Sequence, residues 1–581
     1  MSDGAAAGRR SVVSKVLIAN RGEIAVRVAR TCREMGLATV AVFSDADADA
    51  LHVDVCDEAV RIGGPAPADS YLRIDAILDA ARRTGADAVH PGFGFLSENA
   101  DFARAVLEAG LVWVGPAPEA IAAMGDKLEA KRRMADAGVP LLPSVDLGDS
   151  SPGDDDLAVL AGEVGFPLMV KAAAGGGGKG MRVVRSADDL GEAVAAAQRE
   201  AVGAFGDGRV FLERYVEAPR HVEIQILGDR HGTVVHVFER ECSIQRRHQK
   251  VIEESPSPVL TDEVRSAMGA AAVAAGEAIG YESAGTVEFI LDASDPSAPT
   301  FAFLEVNTRL QVEHPVTELV TGLDLVRLQL LVAMGEPLPF AQTDLEQRGH
   351  AIEARLYAED PANGYLPATG TLHAFEPADV DGVRYDAGVR SGDVVSPHYD
   401  PMLAKVVAWA PTRGEAAARL ARALERSVVH GVRTNRDLLV AILREDAFLA
   451  GDTTTDYLPE RYPTDEARGF APAAGAIEVA SAAVTLASVA SRPGPGDGAG
   501  AGVLATIPPG FANVPLVDQT VAYRVADEEV AVPWRRRRDG SFELGLGDRT
   551  VEARLVAVDD RTVTVELDGH RQRVRRSTVG R

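Results

Sequence analysis

Residues 303–315 carry a set of polar side chains that could do chemistry. Glu305, Asn307, Arg309, Gln311 and Glu313 occur at alternate positions. An extended backbone places alternate side chains on the same face, so the pattern predicts one face with two acids, an amide and a guanidinium between them. Alternation alone fits an edge strand with a solvated face equally well. The set contains no Lys, no Ser and no second Arg, and this composition favours a functional site over a solvated surface.

The length of this stretch indicates that it cannot serve one small substrate as a straight strand. Eight residue steps of about 3.3 Å span roughly 26 Å in a fully extended chain. Either the strand bends after Arg309, or there are two neighbouring functions. One would lie at Glu305 and Asn307, and the other at Arg309, Gln311 and Glu313.

A further acid points to a metal. Residues 285–291 form an apolar segment, predicted to be a strand, that is interrupted by Glu288. A buried lone carboxylate is costly, so Glu288 requires a cation. Two carboxylates about 4 Å apart repel by roughly 4 kcal/mol at an effective dielectric constant of about 20. If Glu288 and Glu305 converge from neighbouring strands, a hard divalent cation such as Mg²⁺ or Mn²⁺ between them relieves this repulsion.

Lysine is scarce, which makes each lysine informative. The chain has seven lysines against 53 arginines, so we expect lysine where arginine will not serve, as a compact charge at a phosphate. Lys179 lies in a glycine-rich run at residues 174–180, between two predicted strands. The bare backbone amides of such a hairpin can close over phosphates. A flexible linker is the alternative interpretation, and the run does not match a Walker loop.

Composition and charge limit the classes of partner. Of the 581 residues, 46% are hydrophobic and 25% are charged, as in ordinary globular proteins, and the length suggests about four domains. The net charge of -26 predicts repulsion from nucleic acid and from anionic membranes, so an anionic substrate needs a local basic pocket. The chain shows neither a membrane-spanning apolar run nor a secretory signal. We therefore expect a cytoplasmic protein, which three scattered cysteines also suit.

The elements that must position these residues are predicted from periodicity. Residues 15–125 alternate strands and helices, with loops at the carboxyl ends of strands, and form an α/β domain. Residues 240–250 are predicted as a dense polar loop, with a solvated basic patch as the alternative. Residues 411–447 are predicted as amphipathic helix. The chain after residue 451 is first rich in Pro and Gly and then alternates, which predicts a small β-rich module.

Eight sequence motifs follow one another in the first 450 or so residues. They are, in chain order, I-A-N-R-G-E-I-A, H-P-G-F-G-F-L-S-E-N, M-G-D-K, K-A-A-A-G-G-G-G-K-G-M-R, R-H-V-E-I-Q, E-C-S-I-Q-R-R-H-Q-K, E-V-N-T-R-L-Q-V-E-H-P-V-T-E and Y-D-P-M-L-A-K. In these motifs and their order, this part of the chain resembles biotin carboxylase, a member of the ATP-grasp superfamily. The resemblance implies an α/β and α+β fold. A Rossmann-like N-terminal domain would be followed by a mobile lid, a C-terminal ATP-grasp domain and then the small β-rich, barrel-like module.

The resemblance also implies a role for each matching residue. ATP contacts are implied for Lys127, Lys171, Gly175, Gly176, Gly177, Gly178, Glu213, Arg214, Tyr215, Val216, His221, Gln245 and His248. About two Mg²⁺ or Mn²⁺ ions would be held by Glu288, Glu305 and Asn307. Bicarbonate would be bound by Lys250, Arg309, Gln311 and the backbone of Val312. Glu313 would deprotonate bicarbonate, and Arg355 would bind biotin and stabilise its enolate.

The implied activity is that of an ATP-dependent ligase that forms a C–N bond. Bicarbonate attacks the γ-phosphate of ATP, and the resulting carboxyphosphate yields CO₂ beside the ureido nitrogen of biotin. Biotin would arrive on another domain or chain. Two alternatives remain open: an ATP-grasp ligase of the carbamoyl phosphate synthetase type, and an idle scaffold whose tail docks partners.

The predicted boundaries are a disordered leader at 1–14, an α/β domain at 15–125, an ATP-grasp domain at 126–455 with a lid at about 142–215, a linker with a helix at 456–510, and a β-rich interaction module at 511–581. The module resembles, more weakly, the linker domain of actinobacterial-type acetyl- or propionyl-CoA carboxylase α subunits. Biotin is attached through lysine, and none follows Lys405. We therefore expect the biotin carrier on a separate chain or, as we favour, in a C-terminal part beyond this sequence. A carboxyltransferase β subunit and a large oligomeric complex are the other implied partners.

Overall fold

The computed structural model describes residues 13–147, 154–173, 181–246, 249–294, 299–463, 474–490, 518–525 and 528–579. It divides into two compact units, Met1–Gly469 and Phe470–Arg581. None of the described helices combines the length and the apolar character needed to cross a membrane.

The first part of unit 1 is built on a parallel sheet of five strands in the order β3-β2-β1-β4-β5. Its apolar strands are buried between helices, as parallel sheets require. The side chain of Asn20, just after the first strand, donates hydrogen bonds to the carbonyls of Pro91 and Phe93, which ties two loops together at the carboxyl edge. The elements are β1 (Lys15–Ile18), α1 (Gly22–Glu34), β2 (Ala38–Ser44), α2 (Leu51–Val55), β3 (Glu58–Gly63), α3 (Ile74–Thr84), β4 (Ala88–His90), α4 (Ala100–Glu108), β5 (Val112–Trp113) and α5 (Pro118–Gly125).

A small antiparallel sheet follows, with the strand order β6-β9-β7-β8. Two helices pack on it and share its apolar core. Strands β7 and β8 pair antiparallel on either side of the glycine-rich run, as predicted for a hairpin, although the run itself lies outside the described residues. The elements are α6 (Lys127–Asp136), β6 (Ser144–Asp146), α7 (Asp154–Val164), β7 (Leu168–Ala172), β8 (Arg182–Val184), α8 (Leu190–Phe205) and β9 (Val210–Arg214).

The candidate site residues lie mainly on a sheet of eight strands in the order β14-β13-β10-β11-β12-β15-β22-β20. Neighbouring strands in this sheet pair antiparallel. The elements up to residue 357 are β10 (Arg220–Gly228), β11 (Val234–Arg246), β12 (Gln249–Ser255), α9 (Asp262–Ala278), β13 (Ser283–Asp292), β14 (Thr300–Asn307), α10 (His314–Thr321), α11 (Leu325–Ala333) and β15 (His350–Tyr357).

The remainder of unit 1 completes the large sheet and covers it. This part of the chain also forms three separate two-stranded sheets, β16-β17, β18-β21 and β19-β23. The elements are β16 (Glu359–Asp360), β17 (Leu366–Pro367), β18 (Gly370–Thr371), β19 (Ala374–Glu376), β20 (Val383–Ala387), β21 (Val394–Val395), β22 (Met402–Ala410), α12 (Arg413–Arg426), β23 (Val428–His430), α13 (Arg436–Arg444), α14 (Asp446–Ala450) and α15 (Tyr457–Arg461).

Two sequence-based predictions are wrong in this unit. Residues 240–250 are not a polar loop or a solvated patch, because most of them belong to the buried, paired strands β11 and β12. Residues 411–447 are not helix throughout, because they contain α12, β23, α13 and the start of α14.

The strand that carries Glu305 ends at Asn307, and Glu313 precedes α10 as its N-cap. Residues 303–315 therefore bend, which is one of the two alternatives left open by the sequence. The bend follows Asn307, two residues earlier than the position after Arg309 that the sequence analysis named.

Unit 2 is a six-stranded antiparallel sheet around one helix. The strands follow chain order from β24 to β29, which confirms the β-rich module. The helix lies in the segment predicted as a linker, yet its Ala483 and Leu486 share a core with Trp534 and Leu544 of the sheet. The elements are α16 (Ala474–Ala490), β24 (Gln519–Val525), β25 (Glu528–Arg536), β26 (Phe542–Leu546), β27 (Arg549–Val558), β28 (Thr562–Leu567) and β29 (His570–Arg575).

Candidate active site

A row of charged side chains crosses four adjacent strands of the large sheet. Arg240 on β11 is opposite Glu223 on β10. Glu223 is in turn opposite Glu288 on β13, and Glu288 is opposite Glu305 on β14. Directly opposite residues share a face, with Cβ atoms about 4.5–5.5 Å apart. The structure therefore brings Glu288 and Glu305 together from neighbouring strands.

A β-bulge puts Glu305 on this face. Glu288 pairs with Glu305, but the next residue, Phe289, pairs with Phe303, so Leu304 has no partner in the register. Side chains in a strand alternate between faces. Without the extra residue, Leu304 would oppose Glu288 and Glu305 would lie on the other face. The bulge thus re-aims one acid towards another, a use of bulges that is common beside functional sites.

The polar residues at the end of β14 and just after it contact Glu288. The amides of Asn307 and Gln311 each donate to Glu288 Oε1, at 2.8 and 3.0 Å. Arg309 donates to the side-chain oxygens of Gln311 and Asn307, at 2.8 and 3.2 Å. Its Nε donates to Glu98 Oε2 at 2.9 Å. The two neighbouring functions predicted for this stretch, one at Asn307 and one at Gln311, therefore meet at the carboxylate of Glu288.

Lys250 holds three buried carboxylates at once. Its Nζ lies 2.5 Å from Glu223 Oε2, 2.6 Å from Glu313 Oε1 and 3.0 Å from Glu288 Oε1. Burial disfavours the charged amine, yet the three acids raise the pKa of Lys250 well above its usual value. Burial likewise opposes ionisation of Glu313, but Lys250 and Arg355 hold its pKa well below the usual range. Glu313 is thus an ionised carboxylate inside the protein.

Arg355 approaches Glu313 from the other side. Its NH2 donates to Glu313 Oε2 at 2.9 Å, and its Nε donates to Glu253 Oε1 at 2.6 Å. The carbonyl of Val312, the residue before Glu313, accepts a hydrogen bond of 3.0 Å from Lys405 Nζ. These contacts fix both the side chain and the backbone at the start of α10.

A cluster of lysines surrounds Glu213 at the small sheet. Lys131 and Lys171 both form ion pairs with Glu213. Lys127 lies close enough for the charges of Glu305 and Lys171 to act on it, and its backbone N–H donates to the carbonyl of Ala173 at 3.1 Å. Burial lowers the pKa of Lys127 and of Lys131. An anion bound there would restore their charge.

The described residues predicted for the nucleotide lie in three places: the lysine cluster at Glu213, a cavity, and the surroundings of His221. Arg214, Tyr215 and Val216 line a cavity of about 500 Å³, whereas the Glu213 side chain faces the lysines instead. The cavity has the size of a small-ligand site. His221 Nε2 lies 2.9 Å from Glu288 Oε2, and its Nδ1 lies 3.4 Å from the amide of Gln245. Predictions for Gly175, Gly176, Gly177, Gly178 and His248 lie outside the described residues.

The sequence analysis missed several residues that the structure places here. They are Glu98, Lys131, Glu223, Arg240, Glu253, Glu353 and Lys405. Glu223 could have been found by the argument applied to Glu288, since it is also a single acid in an apolar strand. Arg240 was hidden by the wrong assignment of its segment to a loop. None of the six described lysines is exposed.

Comparisons with known proteins identify the family. The model of the biotin carboxylase N-terminal domain matches residues 12–121, and that of the biotin carboxylase C-terminal domain matches residues 353–460. Between them, residues 126–341 match the ATP binding domain of the carbamoyl-phosphate synthase L chain. The biotin carboxylase of Halalkalibacterium halodurans is 50% identical over 445 residues, which are 76% of this chain and 97% of that protein. The chain belongs to the biotin carboxylase family.

Biotin carboxylases of known structure share the fold. The biotin carboxylase of Campylobacter jejuni, solved as a beta-gamma-ATP complex, superposes with a TM-score of 0.74 at 42% identity over 78% of this chain and 99% of that one. The biotin carboxylase domain of Hydrogenobacter thermophilus 2-oxoglutarate carboxylase, solved with MgADP, ADP and bicarbonate, has a TM-score of 0.75 at 43% identity over 80% of this chain and 100% of that one. The fold is therefore the mixed α/β ATP-grasp fold of biotin carboxylase.

The alpha subunit of rice mitochondrial methylcrotonoyl-CoA carboxylase is a longer relative. It is 51% identical over 455 residues, which are 78% of this chain. The match spans 61% of the rice protein, so this chain covers less than two thirds of the length of that relative.

We predict that Arg240→Met will destabilise unit 1 strongly. Arg240 is fully buried, and its guanidinium donates to Glu223, Gln225, Thr286 and Thr317. Removing one partner of a buried ion pair leaves an uncompensated charge, which costs about 3–5 kcal/mol. The measurement is the free energy of unfolding in urea, followed by hydrogen exchange of peptides from unit 1.

The matched control is Arg230→Met, which removes an exposed pair with Glu282. This change should cost no more than about 1 kcal/mol. Equal stabilities of the two variants would contradict the role assigned to Arg240.

Proposed function

We propose that the chain carboxylates biotin with ATP and bicarbonate, through carboxyphosphate, as the biotin carboxylase component of an acyl-CoA carboxylase. The observation that supports this most directly is the position of Glu313. It is an ionised, buried carboxylate between Lys250 and Arg355, and Lys250 also contacts the acid that pairs with Glu305. A base at the start of α10 therefore lies next to an anion site and a pair of hard oxygen ligands that the sheet carries.

The phosphates of ATP would be held by the lysine cluster. Lys127, Lys131 and Lys171 surround the single acid Glu213. The excess of positive charge suits a polyphosphate, and the amines, which are compact point charges, suit phosphate oxygens. The cavity beside Arg214, Tyr215 and Val216 would then take the adenine.

Glu288, Glu305 and Asn307 fit a hard divalent cation. Burial and the charge of Glu288 raise the pKa of Glu305, which is the signature of two carboxylates without enough positive charge between them. Two carboxylates and an amide oxygen are ligands that Mg²⁺ and Mn²⁺ accept. When bound, such an ion would neutralise charge on the phosphates during phosphoryl transfer.

Arg309 and Lys250 would hold bicarbonate for Glu313. The guanidinium of Arg309 can grip two oxygens of a planar anion in a fork, and Gln311 orients it. A second anion beside Lys250 competes for its charge, and so raises the proton affinity of Glu313. Glu313 then accepts the bicarbonate proton as the bicarbonate oxygen attacks the γ-phosphorus. This substrate-induced shift explains how a carboxylate held ionised by its neighbours can act as a base.

Arg355 would serve the second half of the reaction. Once Glu313 carries the proton, Arg355 keeps one full carboxylate partner, Glu253, and its remaining N–H groups can face the developing negative charge on biotin. Charge-assisted hydrogen bonds to such an oxygen stabilise the transition state. The carboxylated biotin would leave on its carrier, which we place on another domain or chain.

We predict that purified protein with Mg-ATP and bicarbonate releases ADP, that free biotin stimulates this release, and that Glu313→Gln lowers the stimulated rate by at least about 100-fold. A general base contributes roughly 100- to 10,000-fold, and the amide cannot accept the proton. The measurement is coupled ADP release. Turnover without biotin dependence would favour a ligase of the carbamoyl phosphate synthetase type, and no turnover would favour an idle scaffold.

We predict that Glu305→Gln raises the Mg²⁺ concentration needed for half-maximal ADP release by about tenfold or more. Loss of a residue that positions or binds a metal commonly costs 10- to 100-fold in affinity. Glu263→Gln, at an exposed position in the first turn of α9, is the control. An unchanged Mg²⁺ requirement in Glu305→Gln would remove Glu305 from the metal site.

We propose that unit 2 docks the carboxyltransferase β subunit, and that the whole assembly is cytoplasmic. Removing residues 470–581, which cuts between the two units, should abolish co-purification with a co-expressed carboxyltransferase subunit and spare biotin-dependent ADP release. The biotin carboxylase of Halalkalibacterium halodurans supports the second part, because the match covers 97% of that protein but 76% of this chain. Co-purification that survives the deletion would place docking in unit 1.

A further inference from the structure

Two buried glutamates face each other behind Arg355. Strand pairing sets Glu253 on β12 directly opposite Glu353 on β15. Both are fully buried. Like charges directly opposite in a sheet repel, and burial multiplies the cost. This pair therefore needs either more positive charge or a proton.

The positively charged side chains near this pair already have other hydrogen-bond and ion-pair partners. Arg355 donates to Glu253 and to Glu313. Lys405, opposite Arg355 on β22, donates to the carbonyl of Val312 and lies 3.0 Å from Glu23. The titratable and charged groups that act on the pair are Lys250, Cys242, Glu313, Arg355 and Lys405.

Three carboxyl oxygens in the pair lack a hydrogen-bond partner. They are both side-chain oxygens of Glu353 and Oε2 of Glu253. A proton on Glu353 turns one of its oxygens into a donor, and Oε2 of Glu253, the residue directly opposite on β12, is an acceptor that has no other partner. One proton thus satisfies two otherwise orphaned atoms and removes the repulsion. Burial raises the pKa of Glu353 well above its usual value and that of Glu253 to about 7.

We propose that Glu253 and Glu353 share one proton, and that this carboxyl pair anchors Arg355, so that Glu253 is a positioning residue for the biotin step. The inference rests on the proposed function for the role of Arg355. The proton lies between Glu353 and Glu253 Oε2, which leaves Glu253 Oε1 free to accept from Arg355 Nε.

The pair matters because Glu313 changes its charge during the reaction. When Glu313 takes the proton of bicarbonate, its hydrogen bond to Arg355 loses ionic character. Glu253 keeps its charge-assisted bond, so Arg355 stays in place while its charge becomes available to biotin. A fully ionised pair would instead draw Arg355 away from the substrate side.

The test compares Glu253→Gln with Glu353→Gln in the full chain, with Glu346→Gln as an exposed control. Glu253→Gln should lower kcat for biotin-dependent ADP release by about 10- to 100-fold, as loss of an orienting partner does, and change the KM for ATP by less than about twofold. Glu353→Gln should lower kcat by less than about threefold, because its amide N–H donates to Glu253 as the acid O–H does. Glu353→Leu, which cannot donate, should lose more than Glu353→Gln.

Two kinetic outcomes would overturn the proposal. One is wild-type kcat in Glu253→Gln. The other is a loss in Glu353→Gln as large as in Glu253→Gln with an unchanged Tm, since that would show Glu353 to act as an anion.

A second measurement tests the shared proton without any turnover. A carboxyl group whose pKa is raised on folding binds more protons in the folded state, so its contribution to stability is lost as the pH rises towards the folded pKa. Glu353→Gln lacks this titration. Its Tm relative to the wild type should therefore increase from about pH 5 to about pH 9. A Tm difference that does not vary with pH would overturn the shared proton. If biotin-dependent turnover is absent in the wild type, the proposed function fails, and this measurement still decides the carboxyl pair.

Discussion

One buried ammonium group holds the site together. Lys250 contacts Glu223, Glu288 and Glu313, which come from β10, β13 and the start of α10. Desolvating four charges is expensive, and the attraction offsets that cost only if every partner is in place. The three acids therefore depend on one cation, and the elements that carry them must assemble around it. The same ammonium links Glu288, one of the proposed metal ligands, to Glu313, the proposed base, so the proposed metal binding and proton transfer share one electrostatic centre.

The rest of the sheet extends this centre in both directions. Towards β14, a one-residue bulge aims Glu305 at Glu288. Towards β22, Arg355, Glu353 and Lys405 continue the band of charged residues. A regular antiparallel sheet is well suited to this, because opposite residues share a face at a fixed spacing. The site is therefore spread over seven strands, and the charged groups on these strands have their neighbours set by backbone register, whereas Arg309 and Glu313 lie in the segment between β14 and α10.

Much of the candidate site could be predicted from the sequence, and the predictions that failed share one physical cause. The acid in an otherwise apolar strand identified Glu288, and alternation identified the polar set from Glu305 to Glu313. The strands β11 and β12 were missed because a local sequence pattern rich in charged residues such as Arg240 and Lys250 predicts a solvated segment. In the structure these two side chains are buried in ion pairs with Glu223, which lies on another strand. The end of β14 at Asn307 was missed for a similar reason. Glu98, 211 positions away in the chain, accepts from Arg309 and helps to turn the chain there, and no local window contains it.

The placement of lysine has a consequence for chemical labelling. None of the six described lysines is exposed, and four of them, Lys127, Lys131, Lys171 and Lys250, lie at the candidate phosphate and bicarbonate positions. In most proteins amine-selective reagents react over the whole surface and report little about one site. Here, of the two described lysines outside the candidate anion-binding region, Lys405 is fully buried, and the Lys15 side chain, which is 24% exposed, is the one that such reagents can reach. Once labelling of Lys15 is subtracted, acylation of the described lysines therefore reports on the occupancy of the candidate active site.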